Sequence, residues 1–228
     1  MLRLPGKVDL RYGWRMLSWI PNALTVSRCV FAALVLYGTF NAAAAASAGD
    51  ASAGEDALRH VTLEQLWHQF ALLAFLSGAL TDFLDGWAAR QFKAESRFGV
   101  WLDPIADKLL IGCALLGISL TLQTWLIYVP AAIIIARDVF VTWLRTRPEA
   151  SGVVAPSGLA KMKTAFEMTA IAGLMLPFAL LPSAVGQAEA GLDTIAVAGA
   201  VMLVCLLWFA AILSLYTAVQ YVRAVKLR

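Results

Sequence analysis

"TDFLDGWAARQFKAESRFGVWLDPIADKLL", residues 81–110, sets Asp82, Asp85, Asp103 and Asp107 among long apolar runs. Asp82 and Asp85 are three residues apart, Asp103 and Asp107 four apart, so on helices each pair projects from one face. The stretch between them, "QFKAESRF" (91–98), is short and polar, which predicts an antiparallel hairpin of two helices carrying both acidic pairs to one end. The rest of the chain says what those helices stand in. Of 228 residues 61% are hydrophobic and only 14% charged, against roughly 45–50% apolar in an ordinary soluble domain. The mean hydropathy is +0.74. The expected fold is therefore all-α: a polytopic membrane protein forming a single domain over 1–228.

Crossing a bilayer takes about 20 apolar residues. Runs of that kind fall near 24–42, 66–88, 101–121, 125–145, 163–183 and 194–219, which predicts six transmembrane helices. Ahead of them, residues 1–19 interleave Arg3, Lys7, Arg11 and Arg15 with Leu, Tyr and Trp. That pattern has no continuous apolar core for a cleavable signal peptide and fits an amphipathic helix lying on an anionic membrane surface. Residues 43–65, opening on "AAAAASAGDASAGEDA" (42–57), read as a flexible outer loop, with Thr62 and Gln65 as a capping box starting the second helix.

Basic residues sort to one side. Arg3, Lys7, Arg11 and Arg15, then Arg90, Lys93 and Arg97, then Arg145, Arg147, Lys161 and Lys163, and finally Arg223, Lys226 and Arg228 all fall in alternate connections or at the ends. The opposite connections hold Arg59 alone against six carboxylates. The positive-inside bias places both termini, and the acidic pairs with them, in the cytoplasm. The net charge of +3 reports that topology and contact with anionic lipid; no basic and aromatic groove pattern accompanies it, so nucleic acid is not an expected partner. Cys29, Cys113 and Cys205 lie in separate spans, which excludes a disulfide framework, and His60 and His68 read as interfacial side chains.

Four carboxylates meeting at low dielectric repel one another and would be driven toward protonation unless cations sat among them. Hard oxygen ligands without Cys or His suit Mg²⁺ or Mn²⁺, and two divalent ions can share four such groups. A metal pair of this kind stabilises charge at a transferring phosphoryl centre. Gly86 removes a side chain beside Asp85, leaving room for a bulky diphosphate, and Arg90, four residues on, offers a guanidinium to phosphate oxygens.

The pattern Asp82-x2-Asp85-Gly86-x2-Ala89-Arg90-x8-Gly99-x3-Asp103-x3-Asp107 resembles, without a departure, the signature of the CDP-alcohol phosphotransferase family. The resemblance implies a six-helix membrane enzyme, commonly a homodimer, that moves a phosphoalcohol group from a CDP-linked donor to an acceptor hydroxyl and releases CMP. It implies that Asp82, Asp85, Asp103 and Asp107 bind the two ions, that Asp107 is also the general base, and that Gly86, Arg90 and Gly99 face the donor.

The stretches "IPNALTVSR" (20–28), "IARDVFVTWLR" (135–145), "GLAKMKTAFEM" (158–168) and "LSLYTAVQYVRAV" (213–225) further resemble members that join CDP-diacylglycerol to glycerol 3-phosphate in the bacterial inner membrane. An acceptor carrying a phosphate needs cations, and Arg137, Arg145, Lys161 and Lys163 are the candidates. Arg137 is followed by Asp138, so a buried ion pair between the two is an equal expectation. Arg28 stands inside the first span, where a lone charge is expensive, and so calls for a partner. The competing family reading is a cardiolipin synthase, whose acceptor is phosphatidylglycerol and which shares "IPN", "RD" and a lysine-rich segment followed by "TA". An ion channel or transporter with buried aspartates leaves Gly86, Arg90 and Gly99 unexplained.

Overall fold

A computed structural model describes residues 19–92, 97–145, 158–181 and 194–226, with side chains over 23–84, 105–144, 162–181 and 197–225. The expected interfacial segment 1–19 lies, apart from Trp19 itself, outside the described residues. Among those that are described, six helices and no strands occur: α1 (Trp19–Asp50), α2 (Glu55–Phe92), α3 (Arg97–Leu122), α4 (Trp125–Arg145), α5 (Gly158–Leu180) and α6 (Thr194–Lys226). Stretches within α1, α3, α4, α5 and α6 are long and apolar enough to cross a membrane, so the chain is an integral membrane protein. Large apolar side chains such as Phe83, Leu180 and Met202 point outward from the bundle, as lipid contact requires.

One expectation is corrected here. Residues 43–65 are not a loop: α1 continues to Asp50, α2 starts at Glu55, and only residues 51–54 connect them. Alanine is the best helix former, and a run of it propagates a helix that tertiary contact can hold; Ala42 and Ala45 are buried, and Gly49 lies against His60. Gly54 turns the chain with a φ of 68°, in the left-handed region that glycine enters without strain. Thr62 therefore sits inside α2, not at its start, and its hydroxyl donates to the Leu58 carbonyl.

Among the described residues, α1 packs along both α2 and α3 far more extensively than those two pack on each other. The reason lies on one face of α1, where Thr25, Arg28, Ala32, Val35, Thr39 and Ala42 recur at helical spacing and are all buried. Mostly small, they let the neighbours approach closely, the usual basis of helix association in lipid. A Cβ on Gly117 of α3 would fall 2.6 Å from Thr39 Oγ1, and one on Gly38 of α1 would fall 3.0 Å from Ala71 Cβ and 3.2 Å from the Ala71 nitrogen of α2. The remaining helices close a ring, with α5 against α2, α6 against α5 and α4, and α3 against α4. Leu110, Leu115, Ile134, Ile171 and Leu207 fill its centre.

Because Ala71 offers backbone as well as a methyl group to Gly38, the contact cannot be relieved by a rotamer change. Gly38→Val is expected to cost about 1–3 kcal/mol through overpacking. Gly199→Ala, where an added Cβ meets nothing within 4 Å, is expected to be neutral or slightly stabilising. Thermal unfolding of the detergent-solubilised protein separates the two.

Candidate active site

The α1 stripe presents Arg28 to the junction of α2 and α3. Its side chain is 1% exposed; Nη2 lies 3.2 Å from Asp82 Oδ1 of α2, and Nη1 donates to Asp107 Oδ1 of α3. Each aspartate side chain remains 40% exposed. Two of the four signature carboxylates thus converge, joined through a guanidinium from a third helix. Asp85, Gly86 and Arg90 are helical positions of α2, and Gly99 and Asp103 of α3; their side chains, like those of Arg145 and Lys161, lie outside the described set. No group of three or more His, Cys, Asp or Glu side chains gathers among the described residues.

A second polar cluster lies beside the first. Lys108, the residue after Asp107, donates to the Asp138 carbonyl at 3.3 Å and to Thr142 Oγ1, tying α3 to α4. The Asp138 carboxylate accepts from Arg137 Nη1 at 2.7 Å and from Lys163 Nζ at 2.9 Å. Arg137 also donates through Nε to the Ser214 carbonyl at 3.1 Å and through Nη2 to Thr217 Oγ1 at 2.8 Å. Lys163 Nζ lies 3.1 Å from Glu167 Oε1, one turn along α5. Among the described residues neither Glu167 oxygen has a hydrogen-bond partner with good geometry, and the residue is fully buried. α4, α5 and α6 are joined by this chain of charges, at the level where Asp107 meets Arg28.

Of the four expected acceptor cations, Arg137 and Lys163 are therefore brought together, each held by carboxylate. The ion pair expected between Arg137 and Asp138 is present, and so is the partner expected for Arg28. Lys108, Ser214 and Thr217 carried no signal in the sequence, because a lysine near a helix end and hydroxyls in an apolar helix look alike whether they bind something or not. Below Lys108 and Asp138, α3 and α4 enclose a groove of about 500 Å³ lined mostly by apolar side chains, among them Ile105, Leu109, Leu116 and Ile134.

The profile of the CDP-alcohol phosphatidyltransferase family matches residues 18–225, nearly the whole chain. The chain belongs to that family. Relatives named CDP-diacylglycerol--glycerol-3-phosphate 3-phosphatidyltransferase include the following three. That of Shigella flexneri serotype 5b (strain 8401) is 32% identical over 164 residues, covering 70% of this chain and 81% of the relative. That of Pectobacterium atrosepticum is 35% identical over 157 residues, 68% of this chain and 77% of the relative. That of Escherichia coli (strain K12) is 38% identical over 113 residues, 48% of this chain and 62% of the relative. As a CDP-alcohol phosphatidyltransferase the protein is an enzyme, and dependence on a divalent metal is general in that family. Asp82 and Asp107 suit such an ion: both are hard oxygen donors, they come from two helices to one point, and each keeps an exposed side.

Proposed function

We propose that this chain transfers the phosphatidyl group of CDP-diacylglycerol to glycerol 3-phosphate, giving phosphatidylglycerophosphate and CMP. The observation that carries the reading is the shared name of the relatives, two of which match it over more than three quarters of their own length. The meeting of Asp82 and Asp107 on Arg28, with a cation cluster alongside, supports it from the geometry.

In this reading Asp82, Asp85, Asp103 and Asp107 hold two divalent ions, Mg²⁺ or Mn²⁺. The ions, when bound, neutralise charge on the donor diphosphate. Gly86, Arg90 and Gly99 face the cytidine diphosphate, with the acyl chains left in the bilayer. The acceptor hydroxyl oxygen bonds to the phosphorus that carries diacylglycerol, the bond to CMP breaks, and Asp107 receives the hydroxyl proton. Arg137, Arg145, Lys161 and Lys163 bind the acceptor phosphate; since Arg137 and Lys163 already engage Asp138, Arg145 and Lys161 are the more telling to remove. The proposal extends to α2 as the sixth span, to residues 1–19 as an interfacial helix, to termini and active site on the cytoplasmic side of a bacterial inner membrane, and to a homodimer.

The test is CMP release by purified protein with Mg²⁺ and CDP-diacylglycerol, offering glycerol 3-phosphate, phosphatidylglycerol, inositol phosphate or serine. Glycerol 3-phosphate alone is expected to be consumed. A cation on phosphate contributes about 1.5–3 kcal/mol, so Arg145→Ala or Lys161→Ala should raise the KM for glycerol 3-phosphate at least about tenfold and leave that for CDP-diacylglycerol nearly unchanged. Turnover with phosphatidylglycerol instead would make the chain a cardiolipin synthase.

A further inference from the structure

We propose that Arg28 is a positioning residue that sets the metal-binding geometry of Asp82 and Asp107. The inference rests on the reading of those aspartates as metal ligands. Its starting point is an asymmetry: the guanidinium is 1% exposed, while both carboxylates it touches are 40% exposed. A guanidinium needed only to fasten helices would be compensated most cheaply by carboxylates buried with it, because a buried charge is costly unless fully paired. Here the cation sits behind the two acids, on the bundle side, and engages Oδ1 of each. Both carboxylates nonetheless keep a large exposed surface.

The shape of the cation matters as much as its charge. The two terminal nitrogens of one rigid fork are divided between two helices, Nη2 to Asp82 of α2 and Nη1 to Asp107 of α3. Among the described residues α2 and α3 make little direct contact, and the fork spans the gap between their two carboxylates. A lysine carries the same charge as a single point and cannot hold two acids at a set spacing. Groups that hold metal ligands from behind govern how well the ion is bound; their removal typically costs 10–100-fold in metal affinity. Thr25, one turn before Arg28 and buried, and the close packing of Gly38 and Thr39 leave α1 little freedom to shift, so the fork is held as firmly as the helices are.

The experiment is a titration of detergent-solubilised protein with Mg²⁺ alone, reading the rise in unfolding temperature, for wild type, Arg28→Lys and Arg28→Gln. Wild type is expected to be stabilised. In Arg28→Lys the Mg²⁺ concentration at half-effect should rise at least about tenfold, although the charge is retained, and excess Mg²⁺ should recover much of the lost CMP release. Arg28→Gln, which keeps hydrogen-bonding capacity without charge, should also bind Mg²⁺ more weakly, even though loss of a competing cation would by itself favour the metal. A Mg²⁺ midpoint in Arg28→Lys equal to wild type, or lower, overturns the proposal, as does failure of both variants to fold at saturating Mg²⁺, which would make Arg28 a purely structural clip. A wild type that Mg²⁺ does not stabilise at all would sink the metal reading itself, and this inference with it.

Discussion

Asp107→Asn is expected to lower the rate of CMP release about 10²–10⁴-fold, the usual range for loss of a general base, while CDP-diacylglycerol affinity falls much less. The substitution is well chosen for the structure. An asparagine keeps an oxygen that can still accept from Arg28 Nη1, so the tie between α1 and α3 survives. What disappears is the basic oxygen that receives the acceptor proton, together with a negative charge facing Arg28. Asp82→Asn should act differently, with turnover lost at ordinary Mg²⁺ and partly regained as the metal is raised, since its task is ligation only. Kinetics of both variants across a Mg²⁺ series distinguish the roles. If Asp107→Asn kept more than a tenth of wild-type turnover, another group would have to be the base; if Mg²⁺ rescued it as fully as Asp82→Asn, Asp107 would be chiefly a ligand.

The start of α4 at Trp125 was legible to the residue, because the polar Gln123 and Thr124 interrupt the apolar run just before it. Gln123 adopts a φ of 44° in the turn, its amide bonded to the Ser119 carbonyl at 3.1 Å, which closes α3 before α4 begins at Trp125. The 43–65 stretch misled for a physical reason. Small residues are compatible both with a flexible linker and with a tightly packed helix, and only the neighbour that Ala42 and Ala45 meet decides between them. The spacing of the aspartates pointed to an acidic site, and Asp82 and Asp107 do meet. Which helix stands behind them was not legible: intervals of three and four along α2 and α3 say nothing of α1. The cost of a charge within a span pointed at Arg28 before any partner could be named. No comparable penalty attaches to Thr217, whose hydroxyl donates to the Ser214 carbonyl within its own helix, and so the contacts of Thr217 and of the Ser214 carbonyl with α4 stayed hidden.

The largest effect on stability should come from the second cluster. Lys163 stands between two acids, 2.9 Å from Asp138 Oδ1 and 3.1 Å from Glu167 Oε1. The acids differ in what they would lose with it. Asp138 keeps the Arg137 guanidinium at 2.7 Å. Glu167, fully buried, has no other ion pair among the described residues. Lys163→Met fills much the same space without charge and strands that carboxylate, so it should destabilise the protein by about 3–5 kcal/mol, the cost of breaking a buried pair from one side. Glu167→Gln alone should cost far less, because Lys163 still serves Asp138. Adding Glu167→Gln to Lys163→Met removes the stranded charge and should recover much of the loss, giving a large non-additive term in a double-mutant cycle. Unfolding of the four proteins in one detergent measures it. Additive losses would mean that Glu167 finds another counter-charge once Lys163 is gone. A recovery in stability with no recovery of the KM for glycerol 3-phosphate would divide the two roles of Lys163 cleanly, with neutrality of the core restored and the cation for the acceptor phosphate still missing.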